Sequence, residues 1–532
     1  MGKAIVLCSD GTGNSTVKDR GTNVFRLYEA LDLHGHERDA SKPRQVAFYD
    51  DGVGTQSNPI ARALGGAFGF GLARNVRELY ADLCGVWEPG DRIYLFGFSR
   101  GAYTVRFLAA LIASCGIVRI DASKCGEKSH AELLAAVKHS FGTFRGLFRR
   151  FRKTLSKSEV EKRIDRLNEE GQGRGWRFDA AKIEFVGVWD TVDAYGFPWD
   201  GLADFWNYAV FPFRFPEFGL AADIGQGCQA IALDDERRSF SPVLWDEREE
   251  APNAGAPSRL EQVWFAGVHS NVGGGYPKQG LALESLCWMI DRAERAGLRF
   301  VATETRYFLE RRDPADKLYD SRAGAAVYYA YQPRDVAMLS GSRLSAGARP
   351  KVHLSVVERI ALRADGYAPL GLPKSVEIVQ TTPPNAAQQA ILGEIEQEIA
   401  KAHGVLLSPQ VRAAVTGRKW AHRLLVLVTL LAIGWAFVLH GGRDSNLLGA
   451  LLAPLESLKR LGLHLISTRA SPLFASIVGA LLVAWVAGFT ARRTIERAAS
   501  QHWYARSARL RGLLARLHAA APGGAVTPSS GS

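Results

Sequence analysis

The residues best suited to chemistry form the string Gly97-Phe-Ser-Arg-Gly101, in which Ser99 lies between two glycines. The apolar run Arg92–Phe98 leads into this string, and a helical pattern follows it over about residues 102–113. A strand, a tight turn and a helix in this order are typical of a nucleophile elbow, which exposes a serine hydroxyl at the end of a sheet. Glycines are needed because the turn strains the backbone and brings neighbouring segments close together. The alternative is a chance match, since the chain has 54 glycines.

A serine nucleophile needs a base that takes its proton and an acid that orients the base. In enzymes with this elbow the chain order is serine, acid, histidine, each just beyond a strand. Asp190 follows the apolar run KIEFVGVW, and His269 follows the run QVWFAGV. Because the carboxyl ends of parallel strands meet at one edge of a sheet, Ser99, Asp190 and His269 are predicted to form an ester-hydrolysis site. Three other carboxylates compete for the role of the acid: Asp193, Asp234 and Asp235. A structural role is the alternative for His269.

Backbone N–H groups beside the serine are predicted to hold the negative charge that develops during acyl transfer. The first is the N–H of Arg100, directly after the nucleophile. The second is expected from the Gly-rich turn after the first strand, through Gly11 or Thr12, and Asp10 could order that turn by hydrogen bonding. Phosphate binding is a weaker use of this turn, because it lacks the lysine of a P-loop. Since no residues have metal-ligand spacing, neither a metal nor a cofactor is predicted.

Short apolar runs alternate with helical patterns over the first 300 residues. Strands are predicted over Ala4–Ser9, Gln45–Asp50, Arg92–Phe98, Lys182–Trp189 and Gln262–Val268, and helices over Thr22–Leu33, Leu281–Gly297 and, further along, Ala386–His403. The strands are apolar throughout, which is typical of parallel strands that are covered on both faces. The pattern predicts an α/β fold of the α/β-hydrolase-like kind, a mostly parallel sheet with helices on both faces.

Residues 121–180 interrupt this alternation and are predicted to form an inserted helical cap. Within them, residues 139–157 combine an aromatic stripe, including Phe141, Phe144 and Phe151, with several Lys and Arg. A basic amphipathic helix can lie on an anionic lipid surface, or it can pack its apolar stripe on the protein body. A second aromatic-rich segment, 197–218, could wall an apolar pocket or fill the core.

The excess of positive charge lies in the last quarter of the chain. The formal net charge is +12; residues 401–532 hold 16 Lys and Arg against three Asp and Glu, whereas residues 1–400 hold 50 against 51. This distribution argues against a nucleic-acid-binding body and favours a basic segment beside a membrane. The six cysteines have neither metal-like nor disulfide-like spacing and indicate reduced thiols.

Two apolar segments near the C-terminus are predicted to span a membrane. Leu424–Gly442 and Ala470–Ala491 contain no Lys, Arg, Asp or Glu, and each approaches the roughly 20 residues needed to cross a bilayer core. Their outer flanks carry 12 Lys and Arg and the segment between them carries four, so the positive-inside rule places both termini in the cytoplasm. The alternative is a pair of buried helices. The predicted regions are a catalytic domain (1–400), a basic juxtamembrane segment (401–423), a transmembrane hairpin (424–491), and a basic helix with a disordered tail (492–532).

Seven short motifs in order resemble the catalytic-domain family of type VI secretion phospholipase effectors, an α/β-hydrolase branch. They span about residues 4–375 and are Cys8-Ser-Asp-Gly-Thr12, Tyr49-Asp-Asp-Gly-Val-Gly-Thr55, Gly97-Phe-Ser-Arg-Gly-Ala102, Val186-Gly-Val-Trp-Asp190, Ala232-Leu-Asp-Asp-Glu-Arg-Arg238, His269-Ser-Asn-Val-Gly-Gly-Gly-Tyr276 and His353-Leu-Ser-Val356. The resemblance implies esterase or phospholipase activity with Ser99, Asp190 and His269 as the triad. One position departs from the family, which usually has Asp where this chain has Asn271.

Three hypotheses follow. The first is a serine hydrolase of phospholipid acyl esters in the bacterial inner membrane, with its catalytic domain in the cytoplasm. The second is an effector of the same chemistry that is delivered outside the cell, although a membrane hairpin is awkward cargo. The third is a membrane-anchored scaffold or sensor with a vestigial pocket. The acidic run 234–236 has no role that the sequence explains.

Overall fold

The computed structural model describes residues 2–11, 21–52, 68–150, 157–192, 219–250, 258–401, 405–440 and 472–521. Several sequence predictions fall outside this part of the chain. They concern Thr12, Asp193, the aromatic segment 197–218 and the tail beyond residue 521.

The strands of the described chain are short and mostly buried. They are β1 (Ala4–Ser9), β2 (Gln45–Asp50), β3 (Arg92–Phe98), β4 (Ile117–Ile120), β5 (Trp176–Asp179), β6 (Ile183–Trp189), β7 (Ile224–Ala232), β8 (Leu260–Phe265), β9 (Lys351–His353) and β10 (Glu377–Val379). All five predicted strands are confirmed within a few residues. Strands β4, β5, β7, β9 and β10 are not among the strands predicted from the sequence.

The helices lie between the strands and at the C-terminal end. They are α1 (Asn23–Glu29), α2 (Gly35–Arg38), α3 (Phe68–Val86), α4 (Arg100–Cys115), α5 (Ala122–Cys125), α6 (Ser129–Arg150), α7 (Lys157–Gly171), α8 (His269–Gly273), α9 (Gly280–Arg295), α10 (Ala302–Arg311), α11 (Val336–Gly341), α12 (Leu354–Leu362), α13 (Ala386–Ala400), α14 (Pro409–His440) and α15 (Pro472–Ala519).

Within the described residues, eight strands form one sheet in the order β10-β9-β8-β7-β6-β3-β1-β2, and every pair in it is parallel. Both faces are covered, because Ile5 and Leu7 of β1 enter one hydrophobic cluster while Val6 and Cys8 enter another. The chain order reverses between β1 and β3, the type of position at which open α/β sheets bind ligands. The α/β class and the parallel sheet are confirmed.

The inserted residues 121–180 pack against α3 and α4. Strands β4 and β5 form a separate antiparallel pair at the two ends of the insertion. Phe141 and Phe144 of α6 are buried, and the ring of Phe144 meets that of Phe107 edge to face at 5.5 Å. This part of the aromatic stripe therefore packs on the body, as one of the two sequence alternatives has it. A role of the insertion as a cap stays a prediction.

Helices α14 and α15 pack against each other and present an apolar surface outward. At their contact, a Cβ atom on Gly488 would lie 3.8 Å from the Cβ of Ala421. One helix of the described chain, Ala475–Ala519, is long and apolar enough to cross a membrane, and 6% of its most apolar 18-residue stretch is buried. The buried-helix alternative therefore does not fit this second segment. The first predicted span is described only in part, and the hairpin stays a prediction.

The C-terminal half of α15 belongs to the protein body. Ile495, Trp503 and Leu510 are buried in the same hydrophobic cluster as Val356 and Ile395 from the helices beside the sheet. The indole N–H of Trp503 donates to the carbonyl of Pro369 at 2.9 Å. One continuous helix thus runs from the exposed apolar segment into the core of the body.

Candidate active site

Ser99 occupies a sharp turn between β3 and α4. Its backbone has φ 58° and ψ −120°, outside the regions that most residues adopt. A Cβ atom on Gly97 would lie 2.6 Å from the carbonyl oxygen of Gly101, and one on Gly101 would lie 2.1 Å from that of Ser9. These distances explain both glycines, because no side chain fits where the turn meets β1. The turn is the predicted nucleophile elbow in its backbone geometry.

The structure brings together the three residues predicted from different strand ends. The Nε2 atom of His269 lies 2.8 Å from the Ser99 hydroxyl oxygen, and its Nδ1 lies 2.6 Å from Oδ2 of Asp190. Ser99 follows β3, Asp190 follows β6, and His269 begins α8 four residues beyond the end of β8. All three are nearly inaccessible, with exposed fractions of 6%, 0% and 5%. The hydrogen bonds give the imidazole one side facing a hydroxyl and the other facing a carboxylate.

Asp190 is held by more than the histidine. Its backbone has a positive φ of 38°, and its Oδ1 accepts the N–H of Ala232 at 2.9 Å. Arg334 donates to both carboxylate oxygens, from Nη1 to Oδ1 at 2.6 Å and from Nη2 to Oδ2 at 2.9 Å. Burial alone would raise the pKa of Asp190, but the charge of Arg334 and the bonds from His269 and Arg334 hold that pKa well below its usual range. Asp190 is therefore a carboxylate at neutral pH.

Arg334 is the main site residue that is not predicted from the sequence. It is buried, and its guanidinium also donates to the carbonyl oxygens of Ala232 and Phe240. Arg334 lies just before α11, among 66 Lys and Arg in the chain, and no spacing distinguishes it from the others. The only signal is a general one, that a fully buried carboxylate beside a neutral imidazole needs a cation.

The ring of His269 lies between two aromatic rings. Its centroid is 4.6 Å from that of Phe98 and 5.1 Å from that of Phe240. Desolvation lowers the pKa of His269 below its usual value, although the bond and the charge of Asp190 act in the opposite direction. The imidazole is thus neutral near pH 7 and can accept a proton from Ser99.

The acidic run 234–236 supports the site through backbone groups. Asp234 accepts the N–H of Gly267 at 2.7 Å, and Asp235 accepts the N–H of His269 at 3.2 Å. Asp235 is also paired with Arg237 at 2.7 Å. Among the described carboxylates predicted for the acid, Asp190 is thus the one bonded to the His269 ring, and Asp193 lies outside the described residues. Glu236 points away and pairs with Arg418 of α14 at 3.1 Å.

The turn after β1 is ordered by Asp10, as the sequence suggested. Its Oδ2 accepts the hydroxyls of Thr22 and Tyr49, both at 2.5 Å, and its Oδ1 accepts the N–H of Gly11 at 2.6 Å. The Gly11 N–H is thus directed at Asp10, and its use by an oxyanion stays a prediction. Arg100 begins α4, where the first backbone N–H groups of a helix have no partner within the helix. Its N–H therefore remains the first predicted donor.

Asn271 connects α8 to the loop before α11. Its Nδ2 donates to the carbonyl of Lys317 at 3.1 Å, and its Oδ1 accepts the N–H of Tyr319 at 3.3 Å. A neutral amide can donate and accept at once, which an ionised aspartate cannot. Asn271 therefore fastens the loop, and in the described part of the chain no hydrogen bond joins it to Ser99 or Asp190.

A protein-family description, "T6SS, Phospholipase effector Tle1-like, catalytic domain", matches residues 3–292. This stretch is more than half of the chain and contains Ser99, Asp190 and His269. The chain therefore belongs to the Tle1-like phospholipase effector family, which confirms the resemblance found in the motifs. Arg334 and the helices α14 and α15 lie beyond the matched residues.

Two individual proteins are also similar to the chain. An uncharacterized protein of Saccharomyces cerevisiae is 32% identical over 130 residues, which cover 22% of this chain and 18% of that protein. A crystal structure of an uncharacterized protein from Pseudomonas aeruginosa matches at 18% identity with a TM-score of 0.32, over 75% of this chain and 59% of that one. The chain thus spans less than two thirds of the length of each.

Proposed function

We propose that this member of the Tle1-like family is a membrane-anchored serine hydrolase that cleaves acyl esters of phospholipids. The observation that carries the proposal is the continuous line of hydrogen bonds from Ser99 through His269 to Asp190. Family membership supports a lipid ester as the substrate.

The reaction has two halves. In the first, the Ser99 hydroxyl oxygen attacks the ester carbonyl while Nε2 of His269 takes its proton; the C–O bond to the glycerol side then breaks, and His269 returns the proton to that leaving oxygen. In the second, His269 takes a proton from a water molecule that attacks the acyl carbon; the bond from that carbon to Oγ of Ser99 breaks, His269 returns the proton to Oγ, and a fatty acid is released. The N–H of Arg100 holds the oxyanion in both halves.

Asp190 and Arg334 set the electrostatics of this cycle. Asp190 fixes the tautomer of His269 and stabilises the imidazolium that forms when Ser99 loses its proton. Arg334 balances the charge of Asp190 in the resting enzyme, so that a carboxylate can stay ionised without access to water. The site thus carries little net charge before the substrate binds.

The proposed anchor is the apolar surface of α14 and α15. Leu427 and Leu431 of α14 and Leu482, Val483 and Trp485 of α15 are exposed by between 54% and 66%. Exposed apolar residues on two neighbouring helices mark a membrane or interaction surface. Residues 475–491 of α15 would cover roughly 25 Å of a bilayer core that is about 30 Å thick.

Lipid mass spectrometry tests the proposal. The full chain, with Ser99 or with Ser99→Ala, is reconstituted in vesicles of phosphatidylglycerol and phosphatidylethanolamine, and fatty acids and lysophospholipids are quantified. We expect both products with Ser99 and neither with Ser99→Ala. Ser123→Ala, an exposed serine on α5, is the matched control and should retain full activity. Equal product release by Ser99→Ala and the wild type would contradict the proposal.

A second candidate function, an effector delivered outside the cell, is favoured by the family description itself. It uses the same chemistry in another compartment. Expression of the chain with and without a periplasmic export signal separates the two: toxicity only after export, abolished by Ser99→Ala, supports the effector. Phospholipid turnover in the producing cell without export supports the resident enzyme.

A further inference from the structure

A pocket of about 420 Å³ lies between α14 and the segment that precedes α11. Arg238 and residues 330–332 line it on the side of the body, and α14 lines it on the other. It is separate from the hydrogen-bonded Ser99 site, and apart from Arg238 its lining residues lie beyond the residues that the family description matches.

The α14 side of the pocket changes from basic to apolar along the helix. Lys419 and Arg423 come first, followed by Val426, Leu427 and Leu430. Residues 419, 423, 426 and 430 are spaced so that they share one face of a helix. Within the described residues, no carboxylate lines the pocket or pairs with Lys419 or Arg423. The pocket is therefore cationic at one end and apolar at the other.

This cationic end lies at the level where the apolar helix surface begins. Gly488 of α15 lies beside Ala421 of α14, so the basic turn of α14 is level with the end of the apolar part of α15. Arg423 lies over the ring of Trp420 at 4.9 Å, and Arg493 lies over that of Phe489 at 4.9 Å. Tryptophan and arginine at the end of an apolar helix are typical of the headgroup layer of a membrane.

We propose that the pocket binds one membrane phospholipid, with its phosphate on Lys419, Arg423 and Arg238 and an acyl chain along Leu427 and Leu430. Ammonium and guanidinium groups form strong charge-assisted hydrogen bonds with phosphate oxygens. The apolar end of the pocket favours a ligand that has an acyl chain, which inorganic phosphate does not have. The inference rests on the proposed membrane location of the protein.

Two aromatic rings connect this pocket to the Ser99 site. Phe240 packs against the ring of His269 at 5.1 Å and against that of Tyr329 at 5.6 Å. Tyr329 directly precedes the pocket segment 330–332, and the backbone N–H of Arg238 donates to the carbonyl of Ala330. A lipid in the pocket would thus be held beside the carboxyl edge of the sheet, at the same membrane surface.

Binding is tested without hydrolysis, in the full-length Ser99→Ala chain. Detergent-solubilised protein is titrated with dioleoyl-phosphatidylglycerol, and lipid-bound protein is counted by native mass spectrometry. The pocket variant is Lys419→Gln with Arg423→Gln. The control variant is Arg412→Gln with Arg497→Gln. It removes one exposed charge from α14 and one from α15, both outside the pocket. Thermal unfolding midpoints confirm that both variants fold.

We expect one tightly retained lipid per chain, at least fivefold weaker binding in the pocket variant, and less than a twofold change in the control variant. Equal weakening in both variants, or none in either, would overturn the proposal. Displacement of the lipid by an equal concentration of inorganic phosphate would also overturn it, because the ligand would then be free phosphate. Since Ser99→Ala cannot hydrolyse lipid, these results do not depend on whether the wild type is a phospholipase.

Discussion

The edge of the sheet that holds Ser99 and the helix pair formed by α14 and α15 are opposites in burial. Ser99, Asp190 and His269 are polar residues with at most 6% of their surface exposed, whereas Leu482, Val483 and Trp485 are apolar residues with at least 58% exposed. A polar group inside a protein must be paired, and an apolar surface outside it must be covered. The first region meets this demand within the chain, through Arg334 and backbone groups. Within the described residues, the exposed apolar surface of α14 and α15 has no such cover.

This difference separates what the chain completes alone from what it takes from its surroundings. The geometry around Ser99 depends on strand ends, glycines and a buried ion pair, all of which folding provides. The C-terminal half of α15 packs into the body, whereas the apolar face of the helix pair stays exposed within the described residues. The proposed chemistry and the proposed membrane location thus rest on different parts of the molecule.

Two segments nevertheless connect the regions. In the acidic run, Asp235 holds the backbone of His269 while the adjacent Glu236 pairs with Arg418 of α14. Further along, the ring of Tyr331 lies 4.0 Å from the Arg418 guanidinium, three residues before Arg334 reaches Asp190. The position of α14 is therefore fixed relative to the site.

The largest expected effect is a loss of kcat in a variant that still folds. Asp190→Asn should lower kcat for a short soluble ester by about 10⁴-fold, because an amide no longer selects the tautomer of His269 that accepts the Ser99 proton. Steady-state kinetics on folded protein measure it. Asp179→Asn, a carboxylate at the end of β5 that lies before the start of β6 whereas Asp190 follows its end, should change kcat less than twofold. A loss of less than tenfold in Asp190→Asn would show that another acid orients His269.

The next effect tests whether the buried site is completed by Arg334. Arg334→Gln should lower the free energy of unfolding by roughly 3–5 kcal/mol, because it leaves the carboxylate of Asp190 buried beside a neutral group. Chemical denaturation of the detergent-solubilised chain measures this loss. Arg248→Gln breaks a pair whose arginine is 57% exposed and should cost about 1 kcal/mol or less. If both variants lose the same free energy of unfolding, Arg334 does not stabilise the buried carboxylate of Asp190 more than an ordinary surface pair would.

A smaller effect tests the exposed region. Val483→Arg places a charge in the exposed apolar stretch of α15 and should weaken membrane insertion by about 2.5–3.5 kcal/mol. The fraction of protein that resists carbonate extraction reports it. Thr494→Arg, on the same helix beyond that stretch, should leave extraction unchanged. If both variants stay in the membrane fraction like the wild type, the apolar face has another partner.

The smallest effect concerns the pH dependence of the site. His269 acts as a base only when neutral, and its pKa is below the ordinary value of 6.5. The acid limb of kcat/KM for a soluble ester should therefore have its midpoint below pH 6.5 and fall about tenfold per pH unit beneath it. Asp190 stays ionised over this range, because its pKa lies much lower. A midpoint above pH 7 would mean that the imidazole is charged in the resting site.

The elbow and its partners could be predicted because their constraints are local. Gly97 and Gly101 flank Ser99 where backbone contacts exclude side chains, and the apolar runs before Asp190 and His269 are long enough to predict strands. Strand β7 has no such signal, since its Gly225, Gln226 and Gly227 interrupt the apolar pattern although the strand pairs within the sheet.

Long-range partners could not be predicted, because they depend on folding and not on spacing. Arg334 lies 144 residues from Asp190 in the chain, and any of many arginines could have filled its place. The docking of Trp503 and Leu510 into the body was likewise unforeseen, since the basic composition of that segment predicted only a helix beside the membrane.

Fluorophosphonate labelling of the folded full-length chain tests whether Ser99 is an activated nucleophile. Intact mass and peptide mass spectrometry count the adducts and locate them. We expect one adduct per chain on Ser99, none in Ser99→Ala, and much slower labelling in Asp190→Asn. An unlabelled Ser99 in the folded chain, or an equal adduct in Ser99→Ala, would contradict this expectation.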